Sequence, residues 1–125
     1  MRLLLDTHTF LWWVEDSPRL PKRFRAVIAE PANDVFVSAV IVWEIAIKRR
    51  TGRLVFSGRI VEEIRAQGFQ SMAIALDHAE AAEQLPLLHR DPFDRMLVAQ
   101  AMAEGMILLT VDAKIMKYAP KLLPN

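Results

Sequence analysis

The chain reads as an α/β protein, a three-layer α/β/α sandwich on a short parallel sheet. Three observations predict it. Short apolar, strand-like runs alternate with segments of helical spacing, the pattern of a parallel sheet covered on both faces. At 125 residues and 53% apolar content the chain suffices for one sizeable core, and 25% charged residues argue against disorder. No repeat, low-complexity tract or linker divides it, so residues 1–125 are expected to form a single domain.

In chain order, Arg2-Leu3-Leu4-Leu5 is a short apolar run ending at Asp6 and reads as the first strand. Residues 7–14 continue with helical spacing of Phe10, Leu11, Trp13 and Val14. Pro21 suits the first turn of a helix reaching about Glu30, which Pro31 stops. Val35-Phe36-Val37-Ser38 has the β-branched character of a buried strand, and residues 39–50 read as a helix closed by Gly52. Residues 59–66 form the next helix, ended by Gly68, and residues 72–76 are the expected third strand. Asp77 is read as an N-cap whose capping box Glu80 completes, with the helix running to Pro86. Asp91 caps and Pro92 opens a helix that carries Met96, Leu97, Ala99 and Ala101 to a stop at Gly105. Residues 106–110 are the last apolar strand, and residues 112–118 the final helix.

Composition excludes several classes. With no cysteine there are no disulfides, zinc–thiolate sites or thiol nucleophiles, which accords with a reducing cytosol and a cytoplasmic location. Three apolar residues before Asp6 are too few for a secretory apolar region, and no run of 18 uncharged apolar residues suggests a membrane span. A net charge of +1 is near balance, so a nucleic-acid partner must be sought in where the charge lies.

Acids stand out against the apolar pattern. Asp6 and Asp112 each lie just past the carboxyl end of an expected parallel strand, where ligands bind in open α/β sheets. Glu44 interrupts Val40-Ile41-Val42-Trp43-Glu44-Ile45-Ala46-Ile47, where an ionised carboxylate is costly unless paired, metal-bound or protonated. Asp94 heads an apolar helix, with Asp91 one turn earlier on the same face. Each acid has a plainer role: Asp6, Asp91 and Asp112 as caps, Asp94 as complement to a helix dipole, Glu44 paired with Lys48. Those roles do not explain why two acids share the strand-end position while a third sits in an apolar helix. One cluster does. Carboxylates without cysteine or histidine at ligand spacing favour Mg2+ or Mn2+ over zinc. The matching chemistry is phosphodiester hydrolysis, in which the metal activates water and stabilises charge on phosphorus and the leaving oxygen.

These residues also carry a resemblance. Leu4-Leu5-Asp6-Thr7-His8, Val37-Ser38 leading to Trp43-Glu44-Ile45-Ala46-Ile47-Lys48, His89-Arg90-Asp91-Pro92-Phe93-Asp94-Arg95 and Leu109-Thr110-Val111-Asp112 resemble the ordered acidic motifs of PIN domains. The second and third stretches are especially similar to those of VapC-type toxins of bacterial toxin–antitoxin pairs. The resemblance spans nearly the whole chain. It implies a PIN-like fold and Asp6, Glu44, Asp94 and Asp112 as the four catalytic and metal-binding acids, with Asp91 and Thr110 auxiliary and Thr7 a weaker candidate. It further implies a ribonuclease using magnesium or manganese, a homodimer, and inhibition by a cognate antitoxin.

For RNA contacts, Arg90 and Arg95 bracket the Asp91/Asp94 pair, Lys114 follows Asp112, and Lys48, Arg49, Arg50 and Arg53 form a basic cluster after Glu44. Cations at a helix C-terminus equally complement its dipole, so the 49–53 cluster is open to either reading. His8 and His89 are read as structural, and Trp12, Trp13 and Trp43 as core or interface residues. Two rivals compete. A phosphatase with a phospho-aspartate intermediate usually has a second aspartate two residues after the first, where this chain has His8. A non-catalytic module binding RNA or protein is the other, and the presence of all four acids argues against it.

Overall fold

The computed structural model describes residues 1–124. Strand β1 (Arg2–Leu5) is followed by helices α1 (Thr7–Val14) and α2 (Lys22–Ala29), then β2 (Asp34–Ser38), α3 (Ala39–Arg50) and α4 (Ile60–Ala66). Strand β3 (Gln70–Met72), α5 (Leu76–Glu83), α6 (Pro92–Glu104), β4 (Ile107–Leu109) and α7 (Ala113–Met116) complete the order. The strands form one four-stranded sheet in the order β3-β2-β1-β4, and every pairing is parallel. This is the expected α/β architecture.

Burial of β1 shows that both faces are covered. Successive residues of a strand point to opposite faces, yet Leu3, Leu4 and Leu5 are all fully buried. Each such leucine stabilises the fold by about 1.5–3 kcal/mol relative to an exposed one. Phe10, Phe24, Val37, Ile41, Ile45, Leu97, Leu108 and Leu109 extend the same core, so α1, α2, α3 and α6 all pack their apolar residues into it. Beyond β1 the chain moves outward to β2 and β3, then returns to place β4 on the other side of β1. The strand order therefore reverses between β1 and β4. In open parallel sheets a crevice opens at that point, outside the carboxyl ends of the strands. Asp6 and Asp112 stand there, following β1 and β4.

Three local expectations need correction. The third strand lies at Gln70–Met72, in register with Phe36, Val37 and Ser38, and not at residues 72–76. As an edge strand it has little apolar character, while the apolar Ile74 and Leu76 that suggested a strand are exposed. Helix α5 starts two residues earlier than expected and ends at Glu83, so Asp77 is not its cap. The cap is served by buried His78, whose Nδ1 accepts from the Ala75 N–H at 3.0 Å. Helix α7 closes at Met116, and the chain turns at Ala119 with φ 52°. The stop at Gly105 is as expected: its φ of 63° is a left-handed conformation that glycine adopts without strain.

Candidate active site

Two of the four acids are placed by the sheet. Asp6 leaves β1 and turns into α1, where its Oδ1 accepts from the Thr9 N–H at 2.9 Å. It is 3% exposed. Burial pushes its pKa up from the ordinary 3.8, and hydrogen bonds with Thr110 and Thr9 pull the other way. Asp112 caps α7 through the Lys114 N–H at 2.8 Å. Its own N–H donates to Thr110 Oγ1 at 3.0 Å, so buried Thr110 touches both strand-end acids. The capping roles read from sequence and a place at the crevice are thus compatible, because a helix that begins at a strand end points its capping acid into the crevice.

Glu44 is brought in by α3, whose start is held by Ser38. The serine hydroxyl accepts from the Val40 N–H at 3.1 Å and donates to Gln100 Oε1 of α6 at 2.6 Å. Glu44 is 4% exposed, and both of its oxygens are engaged. Oε1 accepts from the Thr7 hydroxyl and Oε2 from Lys48 Nζ, each at 2.6 Å. The pairing with Lys48 considered from sequence is real and coexists with a place in the site.

Asp94 sits in the first turn of α6. Asp91 caps that helix, its Oδ1 accepting from the N–H groups of Phe93 at 2.8 Å and Asp94 at 3.2 Å. The Asp94 Oδ2 lies 2.8 Å from His89 Nε2. Burial first, then the negative charges of Asp91 and Glu44, push the Asp94 carboxyl up from 3.8 to about 6, against the opposing effect of His89. Repulsion within an acidic cluster is therefore felt at Asp94.

All four acids line one cavity of about 230 Å³ with Asp91, Thr7, His8, His89, Lys48 and Lys114. A larger cavity of about 500 Å³ lies elsewhere, walled by apolar residues of α3 and α4 and devoid of carboxylates, so it offers no comparable chemistry. Within the acidic cavity, ligand atoms of His89, Asp94 and Asp112 fall within 4.8 Å of one another. The carboxylate oxygens, in a cavity where negative charges repel, fit a hard divalent cation, whereas the His89 imidazole is a softer donor.

Several sequence-based assignments change. His89, read as structural, lies in the cavity wall and against Asp94. Its position two residues before Asp91 in the His-Arg-Asp-Pro-Phe-Asp-Arg stretch was the available signal. His8 is exposed at the rim and does not pack in the core. Arg95, expected to hold RNA, turns inward. Its guanidinium donates to the carbonyls of Pro86, Ala82 and Leu85 and to the Tyr118 hydroxyl, all between 2.9 and 3.2 Å. The Tyr118 oxygen in turn accepts from the His89 N–H at 2.9 Å. Arg95 thus straps the segment that carries His89 into place. Lys48 lines the cavity as expected but is committed to Glu44. Arg49 donates to the carbonyls of Phe56 and Gly58 and so is not a free phosphate ligand, whereas Arg53 engages only its Nε–H, with the Thr51 hydroxyl. Trp12 and Trp13 pack against the core as expected, whereas Trp43 is 58% exposed with its ring edge-on to Phe93.

Known proteins share this arrangement of elements. The chain is similar to Ribonuclease VapC22 of Mycobacterium tuberculosis (strain ATCC 25618 / H37Rv), 27% identical over 119 residues that cover 93% of this chain and 91% of that one. Its fold matches a chain in the crystal structure of VapBC2 from Rickettsia felis bound to a DNA fragment from their promoter. There the TM-score is 0.66 at 14% identity, over 98% of this chain and 96% of the other. A chain in the structure of VapBC-1 from nontypeable Haemophilus influenzae matches with a TM-score of 0.64 at 17% identity, over 98% and 95%. The family model for the PIN domain matches residues 3–121, from β1 through all four acids to the segment after α7. The chain belongs to the PIN-domain family.

Proposed function

We propose that this chain is a metal-dependent endoribonuclease that hydrolyses RNA phosphodiester bonds, and that it is the toxin of a toxin–antitoxin pair. The observation that carries the nuclease reading is the convergence of Asp6, Glu44, Asp94 and Asp112, from four separate segments, on one cavity at the carboxyl ends of β1 and β4. The similarity to a protein named a ribonuclease supports it. In this reading the whole chain is one catalytic domain, acting in the cytoplasm.

Asp94 and Asp112 would hold Mg2+ or Mn2+, with Asp6 and Glu44 completing the anionic wall, Asp91 assisting and His89 beside Asp94. A bound cation supplies activation of water and stabilisation of the charge that gathers on phosphorus and the leaving oxygen. The chain's own residues supply position. Thr7 and Lys48 lock Glu44, Thr110 orients Asp6 and Asp112, and His89 fixes the Asp94 carboxylate. Preorganised groups of this kind act without reorganising during the reaction.

The antitoxin reading rests on fold matches to proteins described as VapBC and on a "Toxin-antitoxin complex from Klebsiella pneumoniae". It also accords with the apolar groove of about 500 Å³ between α3 and α4, which includes Val42, exposed Trp43, Val61 and Ile64. A groove of that character suits an amphipathic helix of a partner. A homodimer is proposed with it. No helix of the described residues is long and apolar enough to cross a membrane.

The test is RNA cleavage by the purified chain with magnesium, manganese or chelator, beside Asp94→Asn. Cleavage that needs the metal and is lost in the variant supports the nuclease. Equal cleavage by both removes Asp94 from the mechanism. The alternative, a non-catalytic RNA- or protein-binding module, draws on the full engagement of both Glu44 oxygens. It predicts no cleavage, and no cation-dependent stabilisation that Asp6→Asn abolishes.

A further inference from the structure

Beside the acidic cavity lies a second one of about 330 Å³, lined by Leu87, Leu88, His89, Arg90, Asp91, Lys114 and Lys117. The two share His89, Asp91 and Lys114, so they lie side by side along the segment before α6 and the start of α7. Four cations line the pair of cavities: Lys48, Arg90, Lys114 and Lys117. Among the described residues, Lys48 is held by Glu44, whereas no ion pair or side-chain hydrogen bond engages Arg90, Lys114 or Lys117. The three uncommitted cations thus lie together on one side of the four acids. In the same second cavity Leu87 is 90% exposed and Leu88 is 47% exposed, an apolar ledge beside the positive charges.

We propose that this second cavity is the subsite for a single-stranded RNA segment on one side of the scissile phosphate. Arg90, Lys114 and Lys117 take its backbone phosphates, and Leu87 and Leu88 pack against a ribose or an unstacked base. The inference rests on the nuclease reading above and adds the route of the strand. An uncommitted cation loses nothing by meeting a phosphate, whereas Lys48, Arg49 and Arg95 would each abandon an existing partner. A single strand suits the site because its bases can splay out to reach a ledge and its backbone can bend into a concave pocket. The engagement is one-sided, so products from the two sides of the cut are held unequally.

The experiment measures binding of a fluorescein-labelled single-stranded RNA of about 12 nucleotides, mixed in sequence, to the full chain in chelator so that no cleavage intervenes. Salt is varied from roughly 50 to 300 mM. Backbone binding is independent of sequence, so a generic probe reports it. The triple variant Arg90→Gln, Lys114→Gln, Lys117→Gln changes only surface side chains, and a melting curve checks that it folds. It is expected to bind about 10- to 100-fold more weakly at low salt, with the slope of log affinity against log salt reduced by about 2, roughly 0.7 for each phosphate no longer neutralised. Arg49→Gln with Arg53→Gln, two arginines that line neither cavity, is expected to stay within about twofold of wild type. Unchanged affinity and slope in the triple variant overturn the subsite, as does an equal loss in the Arg49/Arg53 variant. If the wild type meanwhile cleaves RNA, the nuclease reading survives that outcome. Failure of the wild type to cleave any RNA counts against the nuclease reading on its own.

Discussion

Asp94→Asn is expected to make the metal-free protein more stable while abolishing its activity. The Asp94 carboxyl is pushed up to about 6 by burial and by the charges of Asp91 and Glu44. The folded protein therefore holds this proton more tightly than the unfolded chain, whose value is the ordinary 3.8. Stability must then fall as pH rises from near 4 toward about 6, and stay level above that. The interval corresponds to at most ~3 kcal/mol. The carboxylate is partly open to solvent, which screens it and reduces the figure to about 1–2 kcal/mol. For a chain of this size each kcal/mol moves the melting midpoint by roughly 3–5 °C. In chelator at neutral pH, the asparagine variant should melt about 3–10 °C above wild type. The amide still pairs with His89, so little packing is lost. As pH falls from about 6 toward 4 the gap should close, and saturating magnesium should narrow it at neutral pH by relieving the repulsion. A variant that melts at or below wild type at neutral pH, or a gap that ignores pH, would refute the argument that burial and neighbouring negative charge make the ionised Asp94 costly.

Two further substitutions test the scaffold. Arg95→Lys cannot reproduce the fork that serves three carbonyls and Tyr118, and is expected to cost about 1–3 kcal/mol. Limited proteolysis should show faster nicking within residues 84–90, and an unchanged pattern with unchanged melting would show that the strap is dispensable. Ser38→Ala removes the cap on α3 and leaves the buried Gln100 oxygen without its donor, for a loss of about 1.5–3 kcal/mol in denaturant titration. A loss below about 0.5 kcal/mol would mean that Gln100 finds another partner.

The elements that sequence revealed best are those whose local signals agree with their burial. Leu3-Leu4-Leu5 announces a strand buried on both faces, and residues 39–50 announce their helix because an apolar run and a closing Gly52 coincide, although the cap from Ser38 was not read. Strand β3 was misplaced because an edge strand needs little apolar character, and its pairing with β2 is decided by backbone bonds that composition does not report. The α5 boundary was misplaced for a related reason. Asp77 and Glu80 satisfy a capping pattern, but buried His78 does the capping, and its burial depends on Gln100 and Glu104 of α6.

The same division runs through the site. Asp6, Glu44, Asp94 and Asp112 were legible because each violates its surroundings, a charge at a strand end or in an apolar turn, and such violations are local and visible in one dimension. The partners of the cations were not legible. Lys48, Arg90, Arg95 and Lys114 look alike as flanking positive charges, yet one is consumed by Glu44, one by three carbonyls and a phenol, and two remain free. Long side chains reach partners far away in sequence, so the choice among them is made by whichever oxygen the folded chain brings within hydrogen-bond distance. The order and spacing of residues thus specified the parallel α/β fold and the four acids. Only the packing of α5, α6 and α7 around the crevice decided that His89 joins those acids and that Arg95 braces the segment carrying His89.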